Sequence, residues 1–164
     1  MGGDNLGRFV AFALVAVALA GCVTRDEEIY ARGVIDGPRV VAMAGARQPW
    51  VAEIEKRLRE KGVTVKRFVS VTEVTERTGP SRVETYNEAL ARVVVKIDGS
   101  APMGAMYRCF GGGFNFNYIT AEVIDLKTQE TLGSYSNSGY SEGCQPLSKP
   151  IYADIVNLVM AVFK

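Results

Sequence analysis

Three consecutive glycines, Gly111–Gly113, lie between Cys109 and a run of alternating aromatic residues in the stretch YRCFGGGFNFNY. Glycine-rich loops can hold phosphate groups with their backbone N–H groups. The dinucleotide-binding motif requires G-x-G-x-x-G between a strand and a helix, and the phosphate-binding loop requires G-x-x-x-x-G-K-[ST]. The triplet has neither spacing, and the residues after it predict a strand. We therefore interpret it as a tight turn that uses positive φ angles.

The aromatic residues around this turn form a second candidate site. Asn115 and Asn117 alternate with them, and amides beside aromatic rings can bind a sugar or a peptide. Aromatic residues on strands also pack in the core and across strands, so the sequence leaves both roles open. The candidate partner-binding residues are Tyr107, Phe110, Phe114, Phe116 and Tyr118, with Tyr135 and Tyr140 on the predicted return strand.

Histidine is absent from the 164 residues. Serine–histidine and cysteine–histidine nucleophile pairs are therefore excluded, and so are histidine ligands for zinc. The carboxylates Asp36, Glu122, Asp125 and Glu142 follow no metal-loop spacing, whereas a glycosidase-type acid pair would depend on geometry that a sequence does not show. We predict a protein without enzyme activity, cofactor or metal, and keep a small carboxylate-dependent hydrolase as an alternative.

The N-terminal residues predict a targeting signal, and the alternative is a buried apolar helix or an uncleaved membrane anchor. Arg8 precedes an unbroken apolar run over residues 9–20, which is shorter than the roughly 20 residues of a membrane span. The tetrad Leu19-Ala20-Gly21-Cys22 resembles the lipobox of Gram-negative bacterial lipoproteins. The resemblance implies a signal peptide over residues 1–21, cleavage before Cys22, and acyl chains such as palmitate on that cysteine.

This resemblance implies a location and a set of partners. The acylated Cys22 would anchor the chain in a lipid bilayer, and Val23, which is not the aspartate of inner-membrane lipoproteins, favours the periplasmic face of the outer membrane. Another envelope protein or peptidoglycan is the expected further partner. The formal net charge of +1 provides no basic excess for nucleic acid.

Export also bears on the cysteines. With Cys22 lipidated, Cys109 and Cys144 are left as an even pair in an oxidising compartment, where such pairs are normally bridged. We predict a disulfide between them, and two buried free thiols are the alternative.

The pattern of elements predicts a single α/β (α+β) domain over residues 38–164, after a flexible tether over residues 22–37. The periodicity indicates a mixed sheet of about five strands in the order β-α-β-α-β-β-β-α, with the first three strands parallel. The second helix is expected from Ser81, where a capping-box pattern begins. The apolar side of the long hairpin strand switches near Tyr118, which indicates a β-bulge.

A lipidated tether before this order of elements resembles a group of envelope α/β domains. The residues that carry the resemblance are RVVVKIDG, residues 92–99, and AEVIDLKTQETLGSYS, residues 121–136. The group includes penicillin-binding-protein activator lipoproteins, the curli-secretion lipoprotein and the N-terminal domain of the Tol translocation protein. It implies a non-catalytic binding or assembly module, and the alternatives are a subunit of an oligomeric secretion or envelope complex and a small envelope hydrolase.

Overall fold

The computed structural model describes residues 25–68, 91–104 and 108–164. The predicted signal peptide, Cys22, Tyr107 and the helix expected from Ser81 lie outside these ranges. In chain order the elements are β1 (Arg25–Ile29), β2 (Val40–Ala44), α1 (Pro49–Glu60), β3 (Thr64–Arg67), β4 (Val93–Ser100), β5 (Asn115–Asp125), β6 (Glu130–Tyr140) and α2 (Ile151–Ala161).

One mixed sheet contains all of these strands in the order β1-β6-β5-β4-β2-β3. Strand β2 pairs in parallel with both β3 and β4, as predicted for the first three strands of the domain. The hairpin strands β5 and β6 extend the sheet in antiparallel fashion from β4. The predicted α/β class and mixed sheet are therefore confirmed, with six strands instead of about five.

The additional strand is β1, which corrects the prediction of a flexible tether over residues 22–37. Arg25–Ile29 pairs antiparallel with β6, from Arg25 opposite Asn137 to Ile29 opposite Gly133. Most of its side chains are exposed, so the segment lacks the apolar pattern that identifies a strand. The backbone ladder holds it at the sheet edge, where charged side chains are tolerated because they discourage further pairing.

The two helices in the described ranges pack on one face of the sheet and enclose a main core. Trp50, Val51, Ile54 and Leu58 form the buried stripe of α1, which is the stripe predicted from their spacing. Helix α2 contributes a wider buried face. None of the helices in the described ranges is both long and apolar enough to cross a membrane. The buried α2 residues are Ile151, Tyr152, Asp154, Ile155, Val156, Leu158 and Val159.

The predicted bulge is present in β5. The pairing register between β5 and β6 shifts between Phe116 and Ile119, both of which are buried. The two residues between them, Asn117 and Tyr118, are both exposed. Because one extra residue is inserted, the buried side of the strand changes parity at this point.

Candidate functional site

One end of the sheet gathers the predicted site residues, and we call it the disulfide end. Here β4 ends at Ser100, opposite Tyr118, and β6 ends at Tyr140, opposite Asn115. The disulfide between Cys109 and Cys144 joins the loop before β5 to the loop after β6, as predicted. Residues 108–114 and 141–150 therefore extend beyond the end of the hairpin as one cross-linked unit.

The glycine triplet is part of this cross-linked unit. A Cβ atom added to Gly111 would lie 2.5 Å from the Gly143 carbonyl oxygen, and one added to Gly113 would lie 2.6 Å from the Cys144 sulfur. Gly112 has a φ of +82°, which favours glycine. Its N–H donates to the Cys109 carbonyl at 2.8 Å. The glycines let two backbones approach each other, as the interpretation of a tight turn requires.

Phe114 and Phe116 are core residues, which corrects their assignment as partner-binding candidates. Their side chains are 3% and 2% exposed. Trp50 contacts both of them edge-on, with ring centroids 5.3 Å and 5.4 Å away. Phe116 also meets Tyr152 edge-on at 6.3 Å. Because Phe114, just before β5, and Phe116, in β5, direct their rings towards Trp50 of α1 and Tyr152 of α2, they stabilise the fold and cannot contact a partner.

Phe110 and Tyr118 are exposed, but they lie in different surroundings. Phe110 has an exposed fraction of 115%, so its ring projects fully from the glycine turn. Tyr118 is 45% exposed in the β5 bulge, where its hydroxyl donates to the Asp98 carboxylate at 3.3 Å. Of the five aromatic candidates, Tyr107 lies outside the described residues and Phe110 alone has an unobstructed ring.

Phe110 lies on the rim of an apolar cleft of about 580 Å³. Leu147, which is 62% exposed, lines the cleft as well, and so does Pro102, beside the exposed Met103. Arg108 is the one charged residue among those lining it. We call Phe110 and Leu147, which line this cleft, together with Met103, the chain neighbour of the lining residue Pro102, the apolar tip. Sequence reasoning missed Leu147 and Met103 because single apolar residues in polar loops form no periodic pattern.

A second, polar cleft of about 360 Å³ lies on the other side of the glycine turn. Arg57 contacts the Glu53 carboxylate at 2.9 Å and the Glu142 carboxylate at 3.1 Å. Glu142 also accepts hydrogen bonds from the backbone N–H groups of Tyr152 and Ala153, at 3.0 Å and 2.9 Å, in the first turn of α2. Glu142 thus links α1 to the start of α2, whereas the Glu53 contact lies within α1. Burial raises the pKa of the Tyr152 hydroxyl.

The other carboxylates considered for acid chemistry are dispersed. Asp125, at the opposite end of β5, accepts a hydrogen bond from Arg92 at 2.7 Å, and this contact lowers the pKa of Asp125. Asp36 pairs with Lys164 at 2.9 Å, and Glu122 lies 3.9 Å from Lys96. The ranges that the structure describes contain no group of three or more histidine, cysteine or acidic residues able to hold a metal ion.

A polar network attaches β1 to the body of the domain. Arg25 contacts the Asp154 carboxylate at 3.2 Å, and Asp154 lies 3.4 Å from the Tyr135 hydroxyl. Asn137 donates to the same hydroxyl at 2.8 Å. Burial raises the pKa of Asp154, whereas the charge of Arg25 opposes the shift. The first described residue is therefore held against α2 by a charged contact as well as by the sheet.

No family model and no curated protein matches the sequence. Two solved structures of a PelC dodecamer from Paraburkholderia phytofirmans are similar in fold, with TM-scores of 0.47 and 0.49, 14% identity, and 86% of this chain and 99% of theirs covered. TolB from Acinetobacter baumannii, from a group that the sequence resembles, has a TM-score of 0.39 and 14% identity. That likeness covers 82% of this chain and 32% of TolB. We draw no functional conclusion from similarities at this level.

Proposed function

We propose that the protein is a non-catalytic, lipid-anchored envelope protein that acts as a binding or accessory module through its disulfide end. The observation that carries this proposal is the apolar tip. Phe110 is fully exposed, and Leu147 and Met103 are 62% and 51% exposed. Grouped exposed apolar side chains mark interaction sites in soluble domains.

The tip is held on a firm support, which favours a binding role. Cys109 precedes Phe110 directly and is bonded to Cys144, three residues before Leu147. The glycine turn packs backbone against backbone at Gly143. A preorganised apolar group loses little conformational freedom on binding, so more of its contact energy contributes to affinity.

The lipid anchor is supported by the tetrad that ends at Cys22 and by the position of β1. Arg25 already belongs to the sheet, and only Val23 and Thr24 lie between it and the proposed lipidation site, so Arg25 is the third residue after Cys22. Three extended residues span at most about 11 Å. An acylated Cys22 would therefore keep the domain against the bilayer surface, and Val23 favours the outer membrane.

The non-catalytic part of the proposal rests on the contacts of the acidic residues. Glu53 and Glu142, which face the polar cleft, both contact Arg57, and Glu142 also caps α2. A retaining or inverting pair of carboxyl groups needs a water or a sugar between them. Here a guanidinium occupies that position, which disfavours the alternative of a carboxylate-dependent hydrolase.

The experiment that tests this function combines acylation with fractionation. We expect metabolic labelling with palmitate to mark the wild-type protein, and the protein to fractionate with the outer membrane. The Cys22→Ala variant should take up no label and should leave the outer-membrane fraction. Unchanged labelling of that variant would refute the anchor. A matched pair, Phe110→Ser and Tyr30→Ser, tests the binding end, because Tyr30 is also exposed, at 61%, but lies beyond the other end of β1.

A further inference from the structure

We infer that the apolar tip inserts into the interfacial region of the bilayer beside the lipid anchor, so that the domain stands on the membrane with its disulfide end down. The inference rests on the proposed lipidation of Cys22 and names the occupant of the proposed binding surface. Insertion of the tip would fix the orientation of the domain on the membrane, whereas a lipid anchor alone would let the domain rotate freely.

The position of β1 brings the anchor to the same end as the tip. Strand β1 runs antiparallel to β6, so its first residue, Arg25, is the one nearest the disulfide end. Arg25 pairs with Asn137, three residues before Tyr140, which lines the apolar cleft. Three residues of strand correspond to about 10 Å, and β1 lies two strand spacings from β5, also about 10 Å. The lipid and the tip thus fall within one small footprint.

The chemistry of the tip suits the interface between headgroups and acyl chains. Phe and Leu side chains partition into this region, and arginine beside them can contact lipid phosphate. Phe110 and Leu147 supply the apolar part, and the exposed Arg108 is the charged residue among the described residues of the cleft lining. Its guanidinium lies 4.7 Å from the centre of the Phe114 ring and donates one hydrogen bond to the Gly112 carbonyl at 3.0 Å, which leaves further N–H groups for a phosphate. Among the described residues that line the cleft, none has a carboxylate that would repel phosphate. A surface that binds a cationic protein would be expected to carry acidic residues here.

Further basic groups lie at the same end of the sheet, near the edge formed by β3. Arg67 ends β3, and Arg47 lies just before α1, so both are at the disulfide end because β2 and β3 are parallel to β4. Their guanidinium groups contact the Glu55 carboxylate at 3.2 Å and 3.0 Å. Glu55 is 1% exposed, whereas Arg67 and Arg47 are 42% and 57% exposed. Positive charge is therefore presented outward, where anionic headgroups would contact it.

The experiment uses the full lipidated protein in vesicles of dibrominated phosphatidylcholine, which quench indole emission only at the depth of the acyl chains. Phe110→Trp is compared with Tyr30→Trp, and the emission of the native Trp50, buried at 3% exposure, is subtracted by means of the wild-type protein. Because both positions are exposed, both variants should melt at the wild-type temperature. We expect the added emission of Phe110→Trp to fall by about twofold or more relative to unbrominated vesicles, and that of Tyr30→Trp to stay unchanged.

Each outcome has a distinct meaning. Equal Phe110→Trp emission in both vesicles, from protein that co-sediments with them, would overturn the inference and leave the lipid anchor intact. Failure of the wild-type protein to co-sediment would refute the anchor itself, and the inference with it. If the emission is unquenched and Phe110→Asp loses an envelope protein that co-purifies with the wild type, the tip binds protein instead of lipid, which also overturns the inference.

Discussion

Removal of the disulfide should cost a large part of the stability of the domain. Cys109 and Cys144 are 35 residues apart in sequence, so the bridge closes a loop that the unfolded chain would otherwise explore freely. For a loop of this length the chain-entropy model gives about 4 kcal/mol of stabilisation. Small domains are stable by about 5–15 kcal/mol in total, so the loss would be easy to measure.

The assay is urea unfolding of the purified mature protein, followed by the emission of Trp50. The double variant Cys109→Ala/Cys144→Ala should lose about 4 kcal/mol in free energy of unfolding, which moves the midpoint by about 2 M if the urea dependence is about 2 kcal/mol/M. Adding dithiothreitol to the wild type should cause a similar loss. The double variant should not respond to dithiothreitol, and it therefore serves as the matched control.

Two results would refute this reasoning. A loss below about 1 kcal/mol would mean that the bridge does not restrict the unfolded chain as the model requires. A response of the double variant to dithiothreitol would mean that the effect of the reductant does not act through these two cysteines. If the double variant is less stable but its apolar tip still binds as in the wild type, the bridge stabilises the fold and is not needed to present Phe110.

Two other predictions concern the glycine turn and an ion pair at the opposite end of the sheet. Gly113→Ala should cost about 3 kcal/mol, because the new methyl group would overlap the Glu142 carbonyl oxygen, whereas Gly112→Ala should cost about 1 kcal/mol for its positive φ alone. Equal melting temperatures for the two variants would contradict this. Arg92 lowers the pKa of Asp125, so this contact stabilises the fold above about pH 3.9, the ordinary value, and the stabilisation is lost as the pH falls through the folded-state pKa. Urea titrations should show Asp125→Asn less stable than the wild type at pH 7 and converging with it in acid; a constant difference at every pH would count against the mechanism.

Much of the fold follows from periodicity in the sequence. The four-residue spacing of the α1 stripe and the apolar runs of β2 and β4 lie where the pattern indicates them, because burial on one face leaves a regular trace. Strand β1 left no such trace. Its residues are charged and mostly exposed, and its pairing with β6 is made by the backbone, which any side chains allow.

The candidate site was predictable only in part. The pairing of Cys109 with Cys144 followed from an even count and an oxidising compartment. Which aromatic side chains are buried and which are exposed could not be predicted from the sequence, because Phe110 and Phe114 are the same residue type and differ only in their surroundings. Phe114 follows the turn and faces Trp50, whereas Phe110 precedes the turn and faces away from the core. That distinction depends on the path of the glycine turn, which is set by contacts with residues about 30 positions later.

We propose above that this protein binds in the envelope through its disulfide end. The most direct test is a photo-crosslinking amino acid placed at position 110, and in a separate strain at position 30, in the lipidated protein within living cells. We expect irradiation to produce abundant adducts from position 110, chiefly with lipid, and few from position 30. Crosslinking from position 110 that is absent, or no more abundant than from position 30, would contradict binding through the disulfide end if the protein still fractionates with the membrane.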